Sequence, residues 1–260
     1  MIINDLVGGL GNQLFQISAG FAHAKNVQTD YAINYKIGSV YFGQGHPHLK
    51  YKDNLYKKIP ETNENFFSLY REPKYSYTAI PKSNNLCLIG YFQTRKYFLG
   101  YEEEVKNLFE FPDSLRKKVL NKLNNVKKKK LGIHARLGDY RLKSQEEVFY
   151  NIDYSLYLKE AIKYFGDEYE FLIFSDDLNS LQREANLKNL VNLENDNEIE
   201  DLYSLSQCDS VIMSNSSFSW WGTFLGKKKE KIICPDKWYG PRGPQDSQDL
   251  FEDSWIKISV

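Results

Sequence analysis

Leu131-Gly132-Ile133-His134-Ala135-Arg136-Leu137-Gly138-Asp139-Tyr140 sets the fold class of the chain. Leu131–Ala135 is a short apolar run of the buried-strand type, and it opens into a loop that carries an arginine and an aspartate. The same pattern recurs downstream. Strands are expected at Phe171–Ser175, Val191–Leu193, Ser210–Met213 and Lys231–Cys234, with helices over Asp153–Phe165, Leu178–Ala185, Ile199–Gln207 and Trp220–Leu225. Strand-helix alternation of this kind predicts an α/β unit with a parallel, doubly wound sheet. Upstream lies Lys127-Lys128-Lys129-Lys130, which reads as a solvated boundary before a buried strand rather than a nucleic-acid patch.

The amino terminus reads as strand, glycine turn and helix. Ile2–Val7 is the strand, Gly8-Gly9-Leu10-Gly11 the turn, and Asn12 a candidate N-cap for a helix running through Leu14, Phe15, Ala19 and Ala22. Residues 27–85 are rich in Tyr, Lys and Asn and are broken by Pro47, Pro60, Pro73 and Pro81, so few regular elements are expected there. Leu86–Phe92 reads as a buried strand, and Tyr101–Phe109 and Pro112–Asn125 as helices. The pattern suggests two Rossmann-like domains, 1–126 and 127–260, that face each other across a cleft, with the carboxyl-terminal tail packing back on the first.

Composition narrows the function classes. The 260 residues hold 34 Lys and Arg against 34 Asp and Glu, and zero net charge removes the electrostatic case for a dedicated nucleic-acid or membrane-surface binder. Apolar content of 42% is that of a globular protein. No stretch approaches the ~18 consecutive apolar residues of a transmembrane span, and Met1–Asp5 does not begin a signal peptide, so a cytoplasmic protein is expected. Cys87, Cys208 and Cys234 are far apart and match no metal spacing, which fits a reduced compartment. Aromatic residues reach 15%, including 19 Tyr, a composition that can line a carbohydrate site but more often packs a core.

In open parallel sheets ligands sit beyond the carboxyl ends of the strands. His134–Tyr140, Ser175-Asp176-Asp177 and Ser214-Asn215-Ser216-Ser217-Phe218-Ser219 all follow predicted strands, so arginine, histidine, carboxylates and a hydroxyl-rich helix start converge on one sheet edge. A serine-rich helix start can seat a phosphate, and Arg136 can add a fork of donors. Asp201 can accept guanine N1–H and N2–H together, which selects guanine over adenine. Each feature also has a plainer reading. Arg136 and Asp139 can be a structural ion pair, Asp176-Asp177 and the serines can be helix caps, and Trp220-Trp221 can be core.

Other motifs argue against rival chemistries. Gly9 and Gly11 match the first two glycines of a dinucleotide fingerprint, but Leu14 fills the third position, which disfavours an NAD enzyme. His46-Pro47-His48 has no third metal ligand and reads as a surface turn. No Asp-x-Asp metal clamp occurs, and Asn215-Ser216-Ser217 is a formal glycosylation sequon read as idle.

Several stretches resemble the family 11 glycosyltransferases, the α-1,2-fucosyltransferases. They are Gly8-Gly9-Leu10-Gly11-Asn12-Gln13-Leu14-Phe15-Gln16, Gly90-Tyr91-Phe92-Gln93, His134–Tyr140, Phe174-Ser175-Asp176-Asp177 and Ser214–Gly222, in family order over nearly the whole chain. The resemblance implies a GT-B fold, with GDP-fucose held by the second domain, a glycan acceptor, expected to contain galactose, on the side of the first, inversion at the sugar carbon and no metal. It implies that Arg136 binds the β-phosphate, that His134 lies near the guanine and Asp201 reads it, that Ser216 and Ser217 contact phosphate, and that Asn12 is a cleft asparagine near the reacting bond. Asp176 and Phe218 fall within the same donor-site motifs. Asp139 is a candidate general base or a group that orients Arg136. The sequence departs from the family at Leu137, where a second Arg is usual, and at Ser180, where a Trp often stands. Two alternatives stay open: a transferase for another GDP-sugar or linkage, and a catalytically silent nucleotide- or glycan-binding protein of the same fold.

Overall fold

In the computed structural model, which describes residues 1–37, 48–65, 67–145, 147–185 and 190–260, the chain forms two units. The first comprises Met1–Pro112 with Asp246–Leu250, the second Asp113–Gln245 with Phe251–Val260. The first holds β1 (Ile2–Asn4), α1 (Leu10–Asn26), β2 (Ser68–Arg71), β3 (Leu86–Ile89) and α2 (Glu102–Leu108). Its parallel sheet has the order β1-β3-β2. All four residues of β3 are buried, as its uninterrupted apolar run requires of a strand flanked on both sides. Helix α1 buries most of its length, including Gln13 and Gln16.

The second unit runs α3 (Asp113–Asn124), β4 (Lys129–Ala135), α4 (Tyr154–Ile162), β5 (Tyr169–Ser175), α5 (Leu178–Ala185), β6 (Leu190–Val191), α6 (Glu198–Ser206), β7 (Ser210–Ile212), α7 (Ser217–Phe224), β8 (Ile232–Pro235) and β9 (Ile256–Ile258). Its six strands are all parallel in the order β6-β5-β4-β7-β8-β9. The chain therefore winds outward in one direction from β4, returns to β4's other side at β7, and winds outward again. This is the doubly wound Rossmann order. Leu131, Ile133, Ile173, Ile212 and Ile233 form the core of the sheet, with Tyr157 and Leu158 of α4 packed against it.

Several expectations change. The division between units falls after Pro112 rather than at 126, because α3 is tied to α6 by Lys118 and Lys122, which pair with Glu200 at 2.6 and 3.6 Å. The carboxyl-terminal tail divides. Asp246 accepts from Ser76 N–H at 3.1 Å and Asp249 pairs with Lys96 at 2.7 Å, both within the first unit. Beyond them β9 pairs with β8 in the second unit, a strand the sequence reading did not anticipate. Asn12 is not an N-cap, since α1 starts at Leu10 with Gly9 as its cap. His46 and Pro47 lie outside the described residues, but His48 is buried against the Tyr35 ring (5.4 Å) and is no surface turn. Lys129 pairs with Glu230 (2.8 Å) at the solvated entry to β4, as expected of a boundary.

Candidate active site

The doubly wound order makes the adjacent carboxyl ends of β4 and β7 the topological switch point, where open α/β sheets hold their ligands. The segments that leave these strands begin at Arg136 and at Met213. The next loop over, after β5, carries Asp176 and Asp177.

His134 is the penultimate residue of β4 and is buried. Its Nδ1 lies 2.6 Å from Ser219 Oγ and 3.0 Å from Ser214 Oγ, and the two hydroxyls are 3.1 Å apart. Phe218 stacks on the imidazole, with ring centroids 5.1 Å apart. Burial, with Arg136 nearby, pushes the histidine down to about 3, so the ring is uncharged across the physiological range. Ser214 and Ser219 thus fix the ring orientation. Sequence reading placed them in the motif but assigned them no role, since only the turn into α7 folds them back onto β4.

Arg136 follows two residues later, just past the end of β4. Its guanidinium is held by Asp139 Oδ1, at 3.0 Å from Nε and 2.7 Å from Nη2, and by Asp176 Oδ2 at 3.2 Å from Nη1. It also lies over the Tyr140 ring at 5.7 Å. Tyr140 is itself stacked face to face on Phe149 at 3.8 Å and donates its hydroxyl to the Asn215 carbonyl at 3.2 Å. The Arg136 backbone is secured independently: its N–H donates to Tyr154 Oη (2.9 Å), which donates back to the Arg136 carbonyl (3.1 Å). The two aspartates after β5 differ in use. Asp176 Oδ1 accepts from Leu137 N–H (2.9 Å) and so clamps the arginine loop, whereas Asp177 caps α5 through Ser180 N–H (3.0 Å). Leu137 packs into the hydrophobic core, so this position adds no cation to the loop.

At the start of α7, Ser216 is the N-cap and accepts from Phe218 N–H at 3.3 Å, with Ser217 the first helical residue. Asn215 is buried and spends its amide on the carbonyls of Tyr150 and Trp238 (2.9 and 2.8 Å), which withdraws it from any glycosylation role. Trp220 and Trp221 are core residues. Gly222 permits the close approach of α6, since a Cβ there would lie 2.3 Å from Leu205 Cδ2. Asp201 lies on α6, where Asn195 Nδ2 donates to its Oδ1 at 2.9 Å and burial raises its carboxyl above the ordinary value. The second unit therefore contains His134, Arg136, Asp139, Asp176, Asp201, Ser216, Ser217 and Phe218, with two tight groups around His134 and Arg136.

Asn12 belongs to the first unit. The glycine-rich motif there is a self-bracing turn. Gln16 closes on Val7 in both directions (3.0 and 3.2 Å), and Gln13 Nε2 donates to the Gly8 carbonyl (2.8 Å). Gly8 has φ +76°, and a Cβ there would meet Asn12 Nδ2 at 2.4 Å. Asn12 Oδ1 accepts from Gln93 Nε2 at 2.7 Å, so the Gly90–Gln93 motif buttresses the first one. Glu72, overlooked in a region read as irregular, anchors that loop by accepting from Tyr91 and Phe92 N–H (2.8 and 2.9 Å) and from Tyr97 Oη (3.1 Å). Burial outweighs these bonds and pushes Glu72 up to about 7. Its folded pKa lies above the unfolded one, so its stabilisation is complete below about pH 4.5 and lost as pH rises through 7. Wild type should lose stability relative to Glu72→Gln over that window, by at most about 1.4 kcal/mol per pH unit. Urea midpoints at pH 5 and 8 check this, and a constant difference between the two proteins contradicts it.

Among the described residues no helix is long and apolar enough to cross a membrane. The family model described as glycosyl transferase family 11 matches residues 10–259. The O-antigen biosynthesis glycosyltransferase WbnK of Escherichia coli is 29% identical over 189 residues, which are 67% of this chain and 61% of that relative. An alpha-1,2-colitosyltransferase of Escherichia coli is 25% identical over 99% of each chain. Among solved structures, fucosyltransferase NodZ from Bradyrhizobium superposes with a TM-score of 0.55 at 12% identity, over 86% of this chain and 93% of that one. The NodZ alpha-1,6-fucosyltransferase co-crystallized with GDP gives 0.59 at 13% identity, over 90% and 94%. At such identities the likeness speaks for the fold, which is of the GT-B type expected from the sequence. With the family model spanning both units, the chain belongs to glycosyl transferase family 11.

Proposed function

We propose that the protein is an inverting, metal-independent transferase that moves L-fucose from GDP-β-L-fucose to a hydroxyl, O2 of a galactoside, on a glycan acceptor in the cytoplasm. The observation that carries the reading is the switch point of the second unit, where Arg136 is held in place by Asp139 and Asp176 at the end of β4, the strand hydrogen-bonded to β7. The acceptor oxygen attacks the sugar carbon as the bond to the diphosphate breaks, and the bonding pair leaves with GDP. Arg136 is the fixed cation for that departing charge. Neutral His134, held by Ser214 and Ser219, faces the base, Asp201 reads it, and the α7 start with Ser216 and Ser217 contacts phosphate. The first unit, with Asn12 braced by Gln93, supplies the acceptor side. Asp139 takes the acceptor's proton or serves only to orient Arg136. Asp139→Ala loses transfer that added formate restores in the first case and leaves unrestored in the second.

The test is a donor and acceptor screen. GDP-fucose, GDP-mannose, a colitose donor and ADP-sugars are incubated with β-galactosides, release of the donor's own nucleoside diphosphate is followed, and the linkage is read by NMR. Transfer of fucose to O2 that persists in EDTA is the expected result. The colitosyltransferase relative makes a different deoxy sugar the specific alternative, visible as turnover with that donor alone. GDP binding with no transfer to any acceptor overturns the enzymatic reading.

A further inference from the structure

We propose that Asn195 is the positioning residue for base selection: its amide, pinned from behind by Lys122, holds the Asp201 carboxylate in the orientation that reads guanine. The inference rests on the reading of Asp201 as the guanine acceptor. Asn195 lies just before α6, and its side chain can adopt one orientation only. Lys122 Nζ donates to Asn195 Oδ1 at 3.2 Å, so Nδ2 faces the other way and donates to Asp201 Oδ1 (2.9 Å) and to Ser204 Oγ (3.0 Å). A flipped amide would set its oxygen against the carboxylate and its N–H groups against the ammonium, two repulsive contacts in place of attractive ones. With Oδ1 of Asp201 engaged, rotation of the carboxylate is arrested and its remaining acceptor capacity has a fixed direction.

The brace is itself held. Lys122 extends from α3, donates to the Glu194 carbonyl (2.8 Å) and pairs with buried Glu200 (3.6 Å). Glu194 adopts φ +49°, a left-handed conformation disfavoured for a side chain of this size, and Asn192 Oδ1 stabilises the turn by accepting from Glu194 N–H (3.0 Å). Strained backbone held by hydrogen bonds at both its carbonyl and its N–H is the mark of a position that the surroundings over-determine. The same donor hydrogen bond favours the charged form of Asp201 against burial and against Glu198 and Glu200 on its own helix, with Lys122 the cation facing it from α3. Only ionised Asp201 accepts both guanine N–H groups.

The experiment measures calorimetric binding of GDP and of inosine diphosphate, whose base lacks the 2-amino group, to the full-length wild type, Asn195→Ala and Asp201→Asn. A charge-assisted hydrogen bond predicts at least about tenfold preference for GDP in wild type. Asn195→Ala is expected to shrink that preference by about fivefold or more. Losing the donor also raises the Asp201 pKa further, so its GDP affinity should fall off at higher pH than that of wild type between pH 8 and 6, a shift that mere structural support would not produce. Asn195→Asp, of the same size, gives the same two readings if the alanine variant folds poorly. If Asp201→Asn abolishes the preference while both Asn195 variants keep the wild-type ratio and pH profile, the positioning role is overturned and the Asp201 reading stands. If Asp201→Asn keeps the preference, the Asp201 reading falls and the positioning role with it.

Discussion

Arg136→Ala should lose at least about 10²–10³-fold in transfer rate while the protein keeps its fold. The rate falls for two reasons that add. The departing diphosphate loses its fixed cation, and Asp139 and Asp176, both now neutralised by the guanidinium, are left as uncompensated negative charge where a dianion must sit. The fold should survive because the side chain is 36% exposed and its ion pairs are of the solvent-screened kind, worth about 0–1 kcal/mol each. The loop's course depends instead on backbone bonds to Tyr154 and Asp176 that alanine leaves intact. Arg136→Lys should recover little, since a single ammonium cannot span Asp139, Asp176 and a phosphate with separate donors. Near-wild-type turnover of Arg136→Ala, with the melting temperature unchanged, would remove Arg136 from the mechanism.

Trp220→Ala should have the largest effect on stability. Trp220 is 1% exposed and packs against Trp221 (5.2 Å between centroids), Phe224 (5.2 Å) and Trp255 (6.4 Å). Deleting a buried indole costs about 3–5 kcal/mol, because the lost burial is compounded by a cavity that a rigid aromatic cluster cannot close. Trp220 also anchors α7, the helix that begins with the Ser216 cap and presents Ser219 to His134, so GDP binding should weaken along with stability. All four tryptophans lie in the second unit, so the remaining three report its unfolding by fluorescence without a contribution from the first. A loss below about 1 kcal/mol in the urea transition would mean that the cluster refills around the gap, and would contradict rigid packing of these four rings.

The alternation of apolar runs with helical spacing was enough to place most strands and helices of the second half to within a few residues. Parallel strands buried on both faces leave a continuous hydrophobic signature, and Leu131–Ala135 and Phe171–Ser175 carry it. The short strands were harder. β2 is mostly exposed and β9 has three residues, so neither has a periodic signal that distinguishes it from a loop. The family motifs were legible as residue strings, and the residues expected at the strand ends are there.

Sequence by itself therefore determined the fold class, the family and the arginine on which the proposed chemistry depends. Those features are written in local patterns of burial and in short motifs. Tertiary structure decided what each polar side chain of those motifs does. Asn12, an apparent helix cap, is instead the acceptor for Gln93, 81 residues away; Asp176 clamps an arginine while its neighbour Asp177 caps a helix; Glu72 and Asn195 emerge as anchors from stretches with no motif at all. The physical reason is that a hydrogen bond depends on which strand lies beside which. The order β6-β5-β4-β7-β8-β9 brings Ser214 to His134 across 80 residues of chain, and no local pattern encodes that adjacency.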